Sequence, residues 1–213
     1  MDYICFMAKI KNIDTLTVDS TVLCCNFINT VSSWKVKGSH DYLDSYGSFL
    51  KWCRKLEVSP PDFLDRLQAT ARGRDQQTAQ ALENIKEIRK LLQELIVAII
   101  DRDPARRDQL LPRVNILLRE AAARERLEYG EGHFSLGLHK DPGDLLSPLW
   151  NVIHSLKGLL TENDLARIKE CPKCGWVFLD RTKNGRRIWC SPQACGSSDK
   201  MKRYNQRKRE SRT

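Results

Sequence analysis

Between Gln76 and Ile100 apolar residues recur every three or four positions. Ile85, Ile88, Leu92, Leu95, Ile96 and Ile99 make one stripe, with Lys86, Glu87, Arg89, Lys90 and Glu94 opposite it. This period predicts a long amphipathic helix. Shorter stretches repeat the pattern. Val18 to Ser33 is mostly apolar, with Asp19 or Ser20 placed to cap a helix, and Ser39 is placed to cap a second that carries Leu43, Tyr46, Leu50 and Cys53 on one face. Ser59-Pro60 reads as the start of a third, with Phe63, Leu64 and Leu67 inside, because proline is tolerated in a first helical turn. Asp103-Pro104 starts another, which Pro112 is expected to kink or restart before Val114, Leu117, Leu118 and Ala121. A further helix is expected over roughly 144–160, with Leu145, Leu149, Val152, Ile153, Leu156 and Leu160 apolar. Thr161 with Asp164 resembles a capping box for a short helix ending near Lys169. Residues 1–17 give no assignment.

The period drops to two in one place. The segments 124–129 and 133–139 flank Gly130-Glu131-Gly132, which predicts a β-hairpin with Phe134, Leu136 and Leu138 turned inward. Near Ile168 helical periodicity gives way to cysteine spacing. The expected fold class is therefore α+β: a mostly helical N-terminal domain with one hairpin over 1–168, then a small module over 169–213. The first is expected to fold without the second.

The chain has eight cysteines, of which Cys5, Cys24, Cys25 and Cys53 lie among apolar neighbours, as buried thiols do. The other four follow the pattern Cys171-x2-Cys174, fifteen residues, Cys190-x4-Cys195. Two cysteines two residues apart in a tight turn aim both sulfurs at one ion, and a second pair completes a tetrahedron. Pro172 and Gly175 suit such a knuckle, and Asn184-Gly185 offers a turn between 176–179 and 187–190. A helix-compatible stretch from about Ser198 to Arg209 follows. Knuckle, hairpin, helix is the order of a treble-clef-like zinc finger. Four thiolates leave no open position for water, so one structural Zn2+ is expected, not a catalytic one. Two disulfides or unligated thiols are the alternatives. A reducing compartment disfavours the disulfides.

Charge sharpens this picture. Residues 181–213 hold eleven Lys and Arg against Asp199 and Glu210, an excess of nine that equals the chain's whole formal charge of +9. On a helix from Ser198, Lys200, Arg203 and Arg207 share a face with Lys208 beside them, and Arg186 and Arg187 lie between the cysteine pairs. A localised cation cluster suits a polyanion; a solvated tail is the alternative. Trp189 and Tyr204 are expected to pack beneath the basic face, not to stack on bases. The longest apolar run, 95–100, is too short to span a bilayer, and 1–10 does not read as a signal peptide, so a soluble, cytoplasmic protein with no membrane partner is expected.

At these residues the chain resembles the CGNR-type zinc fingers of bacterial proteins that carry an N-terminal ABATE domain. The likeness runs through Cys171-Pro-Lys-Cys174-Gly-Trp-Val-Phe178-Leu-Asp180, then Arg186-Arg187-Ile-Trp189-Cys190-Ser191, Cys195-Gly196 and the basic 200–209 stretch. Upstream, Cys25-Asn26-Phe27-Ile28-Asn29-Thr30 is similar to the Leu-Asp-Phe-x-Asn-Thr signature that opens the ABATE domain. The resemblance implies a stress-linked transcription regulator, with a DNA-binding finger beneath a sensory domain. In this chain Cys195-Gly196 is followed by Ser197-Ser198 where the family has Asn-Arg, and Asn26 stands where it has Asp.

Three functions compete: a transcription regulator binding duplex DNA, an RNA- or ribosome-associated protein, and an enzyme in the N-terminal domain. Phosphate contacts alone do not separate the first two. The third is weak, because His133 and His139 sit about 20 Å apart along one strand, and His154 lies beside an apolar helical stripe. A homodimer is expected, since a single small module gives little specificity.

Overall fold

The computed structural model describes residues 11–18 and 20–210; on the last helix it describes the side chains of Lys200, Met201, Tyr204, Gln206 and Lys208, but not those of Arg203 and Arg207. Cys5 and Asp19 lie outside the described residues. Helices α1 (Leu23–Ile28), α2 (Tyr46–Lys55), α3 (Pro61–Ala71), α4 (Asp75–Ile100) and α5 (Pro104–Ala122) precede a hairpin of β1 (Glu125–Gly130) and β2 (His133–Leu138). Helix α6 (Leu149–Thr161), a 3-10 turn (Leu165–Arg167), and strands β3 (Ile168–Glu170) and β4 (Val177–Leu179) follow. A π turn (Pro192–Gly196) then leads into α7 (Ser197–Glu210).

The long helix α4 is the centre of the molecule. Its stripe of Ile85, Leu92, Leu95 and Ile96 is wholly buried, and α1, α2, α3 and α5 all pack on it. Phe27, Phe49, Trp52 and Phe63 fill the space between α1, α2 and α3, each 0–1% exposed. Full burial of a Phe side chain contributes roughly 1.5–3 kcal/mol, so this aromatic group is a large part of what holds the first three helices to α4.

Several boundaries differ from the expected ones for local reasons. Helix α1 is one and a half turns, because the Asn26 amide accepts from the backbone N–H of Ser20 (3.2 Å) and donates to its carbonyl (2.9 Å), tying 20–22 down outside the helix. Ser45, not Ser39, caps α2, accepting from the N–H of Ser48 at 3.0 Å. Pro112 neither breaks nor restarts α5; it lies inside the helix at an exposed position. Asp144 holds the start of α6 back to Leu149 by accepting from the N–H of Leu146 and the indole of Trp150. Asp164 caps a single 3-10 turn, not a helix, before the chain extends into β3.

The hairpin forms as expected, with Gly130 paired to His133 at its tip, Tyr129 opposite Phe134 and Leu127 opposite Leu136. Its apolar face does not turn inward as expected. Leu127 (71%), Tyr129 (67%), Phe134 (67%) and Leu136 (61%) are exposed, and only Leu138, at the base, packs against the body. The hairpin grows from the end of α5 and is pinned at its root by Glu125 to Lys157 of α6 (3.3 Å), so its outer two-thirds runs past the helices it would need to cover.

Candidate metal centre and basic helix

The first cysteine pair sits at the tip of the β3–β4 hairpin, where Ile168 pairs with Leu179 and Glu170 with Val177. The Cys171 N–H donates to the carbonyl of Trp176, and the N–H of Gly175 to that of Cys171, closing a knuckle. Gly175 has φ +78°, and a Cβ there would lie 2.8 Å from Cβ of Trp34. Only glycine fits this turn against its neighbour. The second pair brackets Ser191, whose hydroxyl accepts from the N–H of Ala194, and the π turn brings Cys195 round to the knuckle.

The four sulfurs of Cys171, Cys174, Cys190 and Cys195 lie within 4.8 Å of one another. Three of the separations are 3.5 Å (Cys174–Cys190), 3.6 Å (Cys190–Cys195) and 3.7 Å (Cys174–Cys195). A tetrahedral Zn2+ with bonds of about 2.3 Å spaces its sulfurs about 3.8 Å apart, so the cluster fits that ion. Hydrogen bonds from Cys174 and Cys190 pull the Cys171 thiol far below the ordinary range, while bonding to Cys171 pushes Cys174 up to about 12 and Cys190 upward too. Four thiolates at this distance repel unless a cation lies between them. Among the described residues every cysteine is free of a disulfide.

The segment between the pairs does not form the expected second hairpin. Strand β4 pairs with β3, and 181–189 instead wraps around the carboxylate of Asp180, which is 0% exposed. That carboxylate accepts from Lys169 Nζ (2.7 Å), the hydroxyl and N–H of Thr182, and the N–H of Arg187. Burial raises its pKa, but the bonds from Lys169 and Thr182 outweigh this and hold it well below the usual carboxylate range. Lys169 also donates to the carbonyls of Gly185 (2.5 Å) and Arg187 (3.0 Å), so one ammonium fixes the loop.

The basic residues therefore differ in availability. Arg187 is half-buried: its guanidinium lies 4.5 Å from the Phe178 ring centre and donates to the carbonyls of Trp189 and Cys190. It holds the finger together. Arg186 is exposed, as are Lys200 and Lys208 on α7, and the α7 backbone carries Arg203 and Arg207 at helical spacing from Lys200. Trp189 packs against Gly196, where a Cβ would meet its ring at 3.0 Å, as expected. Tyr204 does not pack; it is 61% exposed, like Met201.

The finger is seated on the helical domain. Asn29, just after α1, donates to the Val177 carbonyl and accepts from its N–H, both at 2.9 Å. The Trp176 indole donates to the Val31 carbonyl, while the Trp34 N–H (2.8 Å) and the Ser33 hydroxyl (3.1 Å) donate to the carbonyl of Cys174. Behind them Thr30 meets Arg89 of α4, whose guanidinium grips Asp41 through two bonds of 2.8 and 2.6 Å. Asn29 and Thr30 thus join α4 to the metal knuckle. Their place in the family-like signature offered a signal for importance but none for this role.

A family model described as CGNR zinc finger matches residues 167–208, and the ABATE model, described as "Putative stress-induced transcription regulator", matches residues 21–163. No curated protein matches the chain.

Proposed function

We propose that this chain, which belongs to the ABATE family, is a zinc-dependent transcription regulator of the cytoplasm whose finger binds duplex DNA and whose N-terminal domain receives the signal. One structural Zn2+ held by the four cysteines folds the knuckle and supplies no reaction. The observation that carries the reading is the placement of charge. The whole excess of +9 falls on the finger, and α7 holds six of the eleven Lys and Arg of residues 181–213, with Met201 and Tyr204 uncovered. A helix whose apolar residues are not committed to the body suits entry into a major groove. The chain acts as a binding protein, not as an enzyme. Among the described residues no helix is long and apolar enough to cross a membrane.

The test is the salt dependence of binding to duplex DNA. Each neutralised phosphate contributes about −0.9 to the slope of log affinity against log salt, so four or five contacts from Arg186, Lys200, Arg203, Arg207 and Lys208 give roughly −3 to −5. Replacing Arg203 and Arg207 together by Ala is expected to weaken all sequences alike and flatten the slope by about 2. Unchanged affinity and slope at low salt would reduce α7 to a solvated surface. An RNA-associated role is the second reading, and exposed Tyr204 favours it, since an uncovered aromatic ring suits an unpaired base. Competition between duplex DNA and a structured RNA at equal salt separates the two.

A homodimer is part of the proposal. The bare hairpin face supports it: Leu127, Tyr129, Phe134 and Leu136 are each more than three-fifths exposed, and paired across the strands they form one apolar patch. Such side chains present on the order of 100–150 Å2 each, so two copies meeting through this face would bury about 1,000 Å2, the lower limit of a specific interface.

A further inference from the structure

A cleft of about 700 Å3 opens where the C-terminus of α4, the start of α5, the end of α6 and the first residues of β3 converge. Its size falls within the range of small-molecule sites. The floor is apolar, formed by Ile99, Ile100, Leu160 and Ile168, and Leu165 at the wall is left 45% exposed. The mouth is cationic. Arg102 and Arg107 line it, and the one carboxylate lining it, Asp103, accepts from the Arg106 N–H as the cap of α5. Arg107 is paired with Asp108 at 2.8 Å. Arg102, by contrast, has no side-chain hydrogen bond or ion pair among the described residues.

Arg102 is also the residue out of place. It has φ +55° at the turn that ends α4, where its N–H donates to Ile99 and the Asp103 N–H to Ala98. Glycine is the usual occupant of that position. Here a long cation stands there instead and is brought to the mouth of an apolar cleft, beside the N-terminus of a nineteen-residue helix whose dipole favours an anion. We propose that this cleft is a ligand site for a small organic anion with an apolar body, its charged end at Arg102 and Arg107 and its body on Ile99, Leu160 and Leu165. The proposal deepens the reading of a signal-receiving domain and rests on it for its consequence. Lys169 lines the same cleft while its ammonium holds Asp180 and the carbonyls of Gly185 and Arg187. An occupant therefore presses on the residue that sets the loop bearing Arg186.

The test uses the full chain and two fluorescent probes of one shape, the anion 1-anilinonaphthalene-8-sulfonate and the uncharged N-phenyl-1-naphthylamine. Arg102→Gly removes the cation and suits the backbone, so it should raise the melting temperature yet weaken the anionic probe about tenfold. The neutral probe should bind it unchanged. Ala166→Trp, at an exposed position of the cleft wall, should abolish binding of both. Phe134→Ser should abolish neither, which separates the cleft from the bare hairpin. Anionic binding undiminished in Arg102→Gly, or surviving in Ala166→Trp, or lost in Phe134→Ser, overturns the site. DNA affinity is then measured with and without the anionic probe. A change in the wild type that Ala166→Trp removes is expected; no change overturns the coupling to the loop. A chain that binds the probe as described but never binds DNA would instead sink the regulator reading and leave the ligand site standing.

Discussion

Asn29 has its donor and its acceptor both taken by one residue of another element, the backbone of Val177. Only a carboxamide presents both groups at that spacing. Asn29→Ala would leave a buried N–H and a buried C=O without partners, at a cost of about 2–4 kcal/mol. Urea denaturation measures it, and a loss below about 0.5 kcal/mol would mean that water replaces the amide. Asp41 and Asp180 act through charge. At Asp41 burial opposes ionisation, but the bonds from Arg89 prevail, and both carboxyls end below the ordinary value. A carboxyl depressed in the folded state stabilises fully above its unfolded pKa of about 3.9 and loses that contribution as pH falls further. Melting temperature should therefore drop more steeply below about pH 4 in the wild type than in Asp41→Asn, which starts lower and has one fewer group to protonate. Parallel curves would show that the Arg89–Asp41 pair does not titrate with unfolding.

At the scale of the element, the α4 stripe was legible because one period holds over many turns and every position on it faces packed neighbours. Caps were less so. Ser39 and Ser45 are equally good capping residues in isolation, and the choice falls to Ser45 because Asp41 is committed to Arg89 and keeps 39–44 outside the helix. The loop over 181–189 was not legible. Its shape follows from a buried carboxylate and the ammonium of Lys169, eleven residues apart in sequence, and nothing in the local pattern marks Arg187 as a cation that packs on Phe178. Alternation in β1 and β2 gave the hairpin but not which face is covered, since that depends on where the hairpin projects. The uncovered face yields a prediction of its own. Light scattering coupled to size exclusion should give a dimer for the wild type and a monomer for Leu127→Ser with Phe134→Ser. A wild-type monomer at micromolar concentration would remove the dimer.

At the scale of the whole molecule, the four cysteines were readable from spacing alone, but the seat of the finger was not. Trp176, Val177 and Phe178 belong to the same buried cluster as Phe27 and Leu92, so the chain shares one core across the boundary expected near Ile168. The knuckle and α1 accordingly depend on each other. Removing the metal with a chelator should lower the melting temperature of the helical domain along with the finger, as one transition, by about 5 °C or more for a loss of a few kcal/mol in a chain of this size. Two separate transitions, with the helical one unmoved, would show that the domains melt independently.

The bonds from Asn29 to Val177 join residues 148 positions apart, and the Trp176–Val31 bond spans 145. A ribosome adding about 5–20 residues each second takes roughly 7–30 s to make that distance. Throughout that interval the nascent chain holds Asn29, Val31 and Trp34 without their final partners. A chain that stops short of Cys174 therefore leaves Asn29, Val31 and Trp34 without the partners that the full chain gives them.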